Sequence, residues 1–390
     1  MKKKALRLIP ALIAAVMLIG CGSEEESAPP TVVPEPIVID DSAEPAPAPE
    51  PEVESSTAAA EPEEEPEEVR EGYYRSELTG EWTVEELKDQ RPIAVMVDNE
   101  ITALPHYGTS QADIIFEMMN STQNDRVTRF MCLVKDWENL ERFGSVRSTR
   151  PTNIILAPEY NAVLCHDGGP YHNDAYWARD WAPDHLNGIF KRIDNGKPRE
   201  FTEYVTGEKL TANIGTGSIS RTYDDYWGDH FRFSSKGVVL DDIADVFDAT
   251  KVDLTGAFKH NRTQLTYDAE EGVYVYNEYP GSTSKYGYTG TYTDALNGEQ
   301  LKFENVILQC CDFNQLDDHG YLIYNVMTDA VKNGYFLTKG KAIPITWNKP
   351  GETALTKFYY WDTDQQIVMN VGKTYIAIVP AEYWLDITVE

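Results

Sequence analysis

The chain has 390 residues, and 64 acidic against 34 basic side chains leave a formal net charge of −30. That length supports more than one domain with a sizeable core, while 42% hydrophobic and 11% aromatic residues exclude a wholly disordered protein. The charge argues against a nucleic-acid partner, because neutralising phosphates takes clustered Lys and Arg. It is also uneven: Gly22–Glu71 holds 17 acids and the single base Arg70, whereas Gly72 onward holds 47 acids and 29 bases.

The N-terminus reads as an address. Lys2, Lys3, Lys4 and Arg7 precede an apolar run, Leu8–Ile19, that is shorter than the roughly 20 residues a spanning helix needs. The run ends in Leu18-Ile19-Gly20-Cys21, which resembles a bacterial lipoprotein signal cut before an acylated Cys21. An ordinary secretory signal or an uncleaved anchor remain open. A diacylglyceryl group with a possible palmitoyl third chain suffices for stable attachment. The predicted address is the outer face of the cytoplasmic membrane, with residues 1–20 as signal peptide. Residues 21–72 follow as a Pro- and Glu-rich tether, with ten prolines between Gly22 and Glu71. Proline and mutually repelling charge keep such a segment extended, long enough to carry a folded part through a Gram-positive wall.

The folded part begins near Tyr73. Arg91–Asn99 predicts a buried strand ending in a polar turn. Ala112–Met119 and Val127–Val134 read as a hairpin around Asn120–Asp125, with helix as an alternative for the first arm. Gly144–Arg150 is a loop, and a helix follows to about Glu159, capped by Ser148 or Thr149 with Pro151 in its first turn. A strand over Tyr160–Cys165 runs into His166-Asp167-Gly168-Gly169. Residues 171–235 read as short helices and long loops. Thr263–Tyr267 and Val273–Tyr276 form a hairpin, and strand-like runs recur at 303–310, 321–327, 343–347, 356–361, 366–371 and 374–379. Cys132 and Cys165 lie in apolar runs and read as buried hydrophobes, and Cys310 and Cys311 as free thiols. No Cys/His metal spacing occurs, and neither metal nor cofactor is expected.

Several segments together resemble the YerB-type lipoprotein family, domain of unknown function 3048. They are residues 91–99 (RPIAVMVDN), 110–117 (SQADIIFE), 128–130 (TRF), 144–151 (GSVRSTRP), 166–169 (HDGG), 305–309 (NVILQ), 340–350 (GKAIPITWNKP) and 371–380 (VGKTYIAIVP). The resemblance implies an anchored extracytoplasmic protein. Its fold class would be an α/β or α+β N-terminal domain, here 73–235, followed by a mostly antiparallel β-rich C-terminal domain, 236–390. It brings no reaction. Two places depart from the pattern: Asn120–Asp125 lacks a glycine, and no histidine precedes Asp294 in Thr289–Asp294.

The candidate site gathers Asp98, Asn99, Glu117, Arg129, Arg147, Ser148, Arg150, His166 and Asp167, mostly at strand ends and in loops. Arg147 and Arg150 suit an anion, since guanidinium forks match carboxylate and phosphate oxygens. The alternative is an ionic network in which the arginines pair with Asp98, Asp113 and Glu117 and only fix the fold. His166 beside Asp167 suits general acid–base work, and Asp98 with Glu117 suits a catalytic carboxylate pair on a glycan. Tyr171, Trp177 and Trp181, interleaved with amides and acids, suit sugar stacking or plain packing. Three readings follow. The first is a lipoprotein that binds a cell-wall glycan, an anionic ligand or an envelope protein. The second is a hydrolase or transferase on peptidoglycan or another glycan, and the third an envelope scaffold.

Overall fold

In the computed structural model the described residues are 69–223, 228 and 230–390. The signal, Cys21 and most of the tether lie outside them. The described protein is mostly β, with α-helix confined to Pro151–Leu156 (α1), Asp174–Trp177 (α2) and Gly207–Asn213 (α3). A large helical layer of the kind an α/β half would carry is therefore replaced by strands and short turns.

The principal sheet has 11 strands among the described residues. In chain order these are β1 (Ile93–Asp98), β2 (Ile114–Met119), β3 (Thr128–Val134), β4 (Val163–His166), β5 (His185–Asn187) and β6 (Phe247–Asp248). The chain continues with β7 (Asn305–Cys311), β8 (Thr328–Thr338), β9 (Lys341–Lys349), β10 (Lys357–Tyr360) and β11 (Thr374–Pro380). Their spatial order is β6-β9-β8-β7-β11-β2-β3-β1-β4-β5, with β10 also pairing β9. Strands from both ends of the sequence meet where β11 pairs in parallel with β2, Thr374 opposite Ile114 and Ile378 opposite Met118. β11 also pairs in parallel with β7, so this region is mixed rather than uniformly antiparallel. The antiparallel β2–β3 hairpin is present, and its first arm is strand rather than helix. β8, at 11 residues the longest strand, is absent from the predicted runs. Its first half is polar and it contains Asn333-Gly334, a turn composition overridden by pairing on both sides.

β1, β2, β3 and β11 are buried along their whole lengths, which is why they read as continuous apolar runs rather than alternating ones. Alternation still decides which face each residue serves. Val95, Val97, Ile115, Phe130 and Cys132 pack with Leu265, Tyr274 and Tyr276. The latter three belong to a second, five-stranded sheet containing Gln264–Asp268 and Val273–Asn277. Ala94, Met96, Phe116, Met118, Met131 and Leu133 pack on the other face with Ile154, Ile155 and Leu156 of α1. The predicted helix is shorter than expected. α1 ends at Leu156 and tightens into a 3-10 turn, Ala157–Tyr160, because Pro158 has no N–H to continue the α ladder. Ser148 and Thr149 are not its cap. Arg150 is, with Asn153 Oδ1 accepting the Arg150 backbone N–H at 3.0 Å. The four described cysteines are free, as expected.

Between the sheets a carboxyl is held in a ring of donors. Glu117 is fully buried. Its Oε1 accepts from Thr128 Oγ1 at 2.6 Å, Thr263 Oγ1 at 2.8 Å and Asn99 Nδ2 at 3.3 Å. Its Oε2 accepts from Tyr375 at 2.6 Å and Tyr276 at 3.1 Å. Burial pushes the Glu117 carboxyl up, and the four hydroxyls offset that only in part. These donors come from the turn after β1, from β2's neighbours β3 and β11, and from the second sheet with the residue that leads into it, so one side chain fastens segments far apart in sequence. Asp294 supports the same region by accepting from the Gly108 and Ser110 backbone N–H groups, each at 2.9 Å. Its role there needs no preceding histidine.

Removing the carboxyl strands five donors in a dry interior, at about 1–3 kcal/mol for each one that stays unsatisfied. Glu117→Ala is expected to lower unfolding free energy by about 4 kcal/mol or more in urea denaturation, a loss well beyond an ordinary cavity. A loss under about 1 kcal/mol would show that the ring is not a fastening.

Candidate functional site

β1, β2, β4, β5, β7 and β11 run parallel to one another, so their carboxyl ends share one edge of the sheet. Open sheets expose ligand sites at such edges. Asp98 ends β1, Asn120 follows β2, and His166 ends β4. Arg129 lies at the start of the antiparallel β3, opposite Asp98 in register. Asp98 and Arg129 share the face that α1 covers, because they alternate with Met96 and Met131. Arg147, Ser148 and Arg150 come from the extended segment entering α1.

Three arginines gather here, and two of them, Arg147 and Arg129, reach the Asp98 carboxylate. Arg147 Nε donates to Asp98 Oδ2 at 2.6 Å, and Arg129 Nη2 lies 3.8 Å from the same oxygen. Arg147 also meets Glu200 at 3.3 Å on the solvent side. Arg129 Nη1 donates to the Ser148 carbonyl at 2.6 Å, and its Nε is buried with no hydrogen-bond partner. Arg150 donates to the Asn120 and Thr149 carbonyls at 3.2 and 3.0 Å and lies 4.6 Å from the Tyr321 ring centroid. Among the described residues no carboxylate lies within ion-pair distance of it. Burial, together with the neighbouring guanidinium charges, pushes Arg129 down to about 10 and Arg150 to about 9. Both stay charged at neutral pH. The ionic-network alternative is met only at Asp98: Glu117 faces the other side of the sheet, and Asp113 accepts the Lys135 backbone N–H instead.

The rim carries a second polar group. Arg192 Nη2 pairs with Asp167 at 2.9 Å and with Glu203. Glu203 is fully buried, and burial plus the adjoining Asp167 raise it to about 7. Burial also acts upward on Asp167, but the hydrogen bond shared with Glu203 and the Arg192 charge hold it below the ordinary range. The two carboxyls are thus pushed apart, Glu203 upward and Asp167 downward. Ser148 Oγ donates to the Asp167 carbonyl at 2.8 Å, which fixes the rim to the α1 entry and leaves no nucleophilic arrangement.

The remaining candidates are placed otherwise than the sequence suggests. Glu117 and Asp98 lie on opposite faces of the sheet, so they cannot flank one glycosidic bond. His166 is buried, and burial lowers it to about 4. Its Nδ1–H donates to the Gly168 carbonyl at 2.9 Å, and Nε2 lies 2.9 Å from His185 Nδ1. With both nitrogens engaged, His166 fixes the turn rather than exchanging protons. Gly168, at φ +78°, makes that turn, and a side chain on Gly169 would collide with Asn173. Trp177 stacks on His185 at 4.1 Å, and Trp181 Nε1 donates to Glu352 at 2.7 Å. Only Tyr171 of the expected platform is widely exposed, at 71%. Sequence reading missed Tyr321, Glu203 and Arg192, none of which has a motif; Tyr321 arrives from more than 170 residues beyond Arg150.

The stability of the rim has a defined pH dependence. A carboxyl raised on folding stabilises fully below its ordinary value of 4.5 and loses that contribution as pH rises through about 7. Glu203→Gln is expected to flatten the fall in Tm between pH 5 and 8; an unchanged slope would remove Glu203 as its source. Asp98→Ala leaves buried positive charge unpaired and is expected to cost about 3–5 kcal/mol. Phosphate should recover part of that loss, and equal phosphate effects on variant and native protein would contradict this.

Models of the family described as "Protein of unknown function (DUF3048)" match this chain twice, the N-terminal domain over residues 78–220 and the C-terminal domain over 252–376. YerB of Bacillus subtilis (strain 168), named as a candidate lipoprotein, is 30% identical over 156 residues, 36% of this chain and 44% of the relative. That alignment thus spans less than half of the relative's length. The crystal structure of YerB protein from Bacillus subtilis superposes with a TM-score of 0.65 at 20% identity, covering 81% of this chain and 99% of that one, a likeness of fold. With both domain models matched in order along one sheet-sharing body, the chain belongs to the DUF3048 family.

Proposed function

We propose that this protein is a lipid-anchored extracytoplasmic binding protein whose arginine cluster takes an anionic group of a cell-wall glycan or of an envelope partner. Acylated Cys21 holds it to the membrane and the tether carries it outward. The relative named as a candidate lipoprotein supports that address, and no helix among the described residues is long and apolar enough to cross a membrane. The observation that carries the binding reading is the charge imbalance at the carboxyl edge. Arg129 and Arg150 are buried, Arg129 shares Asp98 with Arg147, which also meets the exposed Glu200, and Arg129 Nε has no partner. Buried charge and buried donors are costly when unmatched, and a carboxylate or phosphate oxygen supplies both the charge and the acceptor. Arg147, 23% exposed at its side chain, and Ser148 form the approach.

The hydrolase or transferase reading loses its carboxylate pair to the opposed faces of Asp98 and Glu117 and its base to the engaged His166. The scaffold reading rests on the Asp98 ion pairs, which order the edge whether or not a ligand arrives. Equilibrium binding separates the two readings that remain. The full chain bearing Cys21→Ser is titrated with muropeptides and with inorganic phosphate. Arg147→Ala/Arg150→Ala is expected to weaken binding at least tenfold with the fold retained. Equal binding by the double variant, or none by the native protein, contradicts the reading.

A further inference from the structure

A second surface, remote in sequence from the arginine cluster, has the make-up of a saccharide site. β8, β9, β10 and the turn after β10 enclose an open groove of ≈ 590 Å³. That is within the roughly 300–1,000 Å³ of small-ligand clefts. Along β9, Ile343, Ile345 and Trp347 are fully buried, so the alternate residues Thr346 and Asn348 face the groove. Thr346 stands opposite Tyr359 of β10 in register. Trp361 lies just beyond β10 and is 49% exposed, with Asp362 and Asp364 following it along the rim.

Of the polar side chains in this groove only Thr363 is engaged, accepting the Gln365 backbone N–H at 3.1 Å. Among the described residues the side chains of Thr346, Asn348, Tyr359, Trp361, Asp362 and Asp364 make no hydrogen bond or ion pair within the protein. Trp347, one residue away on the buried face, instead donates Nε1 to the Cys310 and Asn333 carbonyls, each at 3.1 Å. Two aromatic side chains in the lining, Tyr359 and Trp361, with an amide, a hydroxyl and two carboxylates beside them, match the two kinds of surface of a pyranose. The CH face stacks on Tyr359 and Trp361, and the hydroxyls donate to Asp362, Asp364 and Asn348. Two carboxylates with no cation in the lining repel anionic polymers and select an uncharged chain.

We propose that this groove binds an uncharged saccharide segment, of hexose or N-acetylhexosamine units, independently of the arginine cluster. The test is calorimetric titration of the full chain bearing Cys21→Ser with N-acetylglucosamine tetramer and, separately, with maltotetraose. Saturable binding of at least one is expected. Trp361→Ala should weaken it at least tenfold, and Tyr359→Ala and Asn348→Ala, which test the same groove should Trp361→Ala misfold, several-fold. Arg147→Ala/Arg150→Ala should leave it unchanged, so loss of anion binding and loss of sugar binding are read separately. Binding of neither saccharide, or full binding by folded Trp361→Ala and Tyr359→Ala, overturns the proposal.

Discussion

The parallel pairing of β11 with β2 is the constraint on which the rest depends. It joins the last long strand of the chain to one near the beginning of the folded part, and it converts two sets of strands into one sheet. The pairing also seals Glu117 in its ring, because Tyr375 on β11 supplies the hydrogen bond at 2.6 Å. A buried carboxyl with five donors tolerates little slippage. One residue of shift would turn Tyr375 to the α1 face and leave the carboxylate without it. Register and polar satisfaction therefore enforce each other.

That register sets the functional edge. With β1, β2, β4 and β11 parallel, Asp98, Asn120 and His166 are brought to one side, and the antiparallel β3 begins there and presents Arg129. The hairpin around Tyr321 comes from the other half of the chain and covers Arg150. The cluster is thus assembled by the join and belongs to neither half alone. His106 ties edge to interior, its ring placed between the Asp98 carbonyl at 2.6 Å and Tyr292 at 2.8 Å. Burial lowers His106 to about 4, so it stays neutral and holds Asp98 without adding a fourth positive charge.

Much of this was legible in the residues. Continuous apolar runs such as Ile93–Val97 announce strands buried on both faces, and Pro151 marks the start of α1. The arginines near that start were visible as a group because they lie close together in sequence. What escaped was set by distant contacts. β8 looks like a turn until β7 and β9 pair with it. Glu117 reads as a catalytic carboxylate until Tyr276 of the second sheet and Thr263, just ahead of it, close on the carboxyl. His166 next to Asp167 reads as a base until His185, 19 residues on, takes its free nitrogen. A strand end in the sequence also does not say which face its last side chain takes, and here that face separates Asp98 from Glu117.

The net charge of −30 conceals these local balances. Much of it lies before Gly72, while the edge of the folded part sets three guanidiniums against the buried Asp98 and the outlying Glu200. The most direct test of that imbalance is nitrogen-15 NMR of the arginine side chains during phosphate titration. The account predicts a saturable shift of the Arg129 Nε–H signal, whose donor is buried without a partner, accompanied by Arg150 and absent from exposed arginines such as Arg232. An Arg129 signal that stays fixed through saturating phosphate would contradict it.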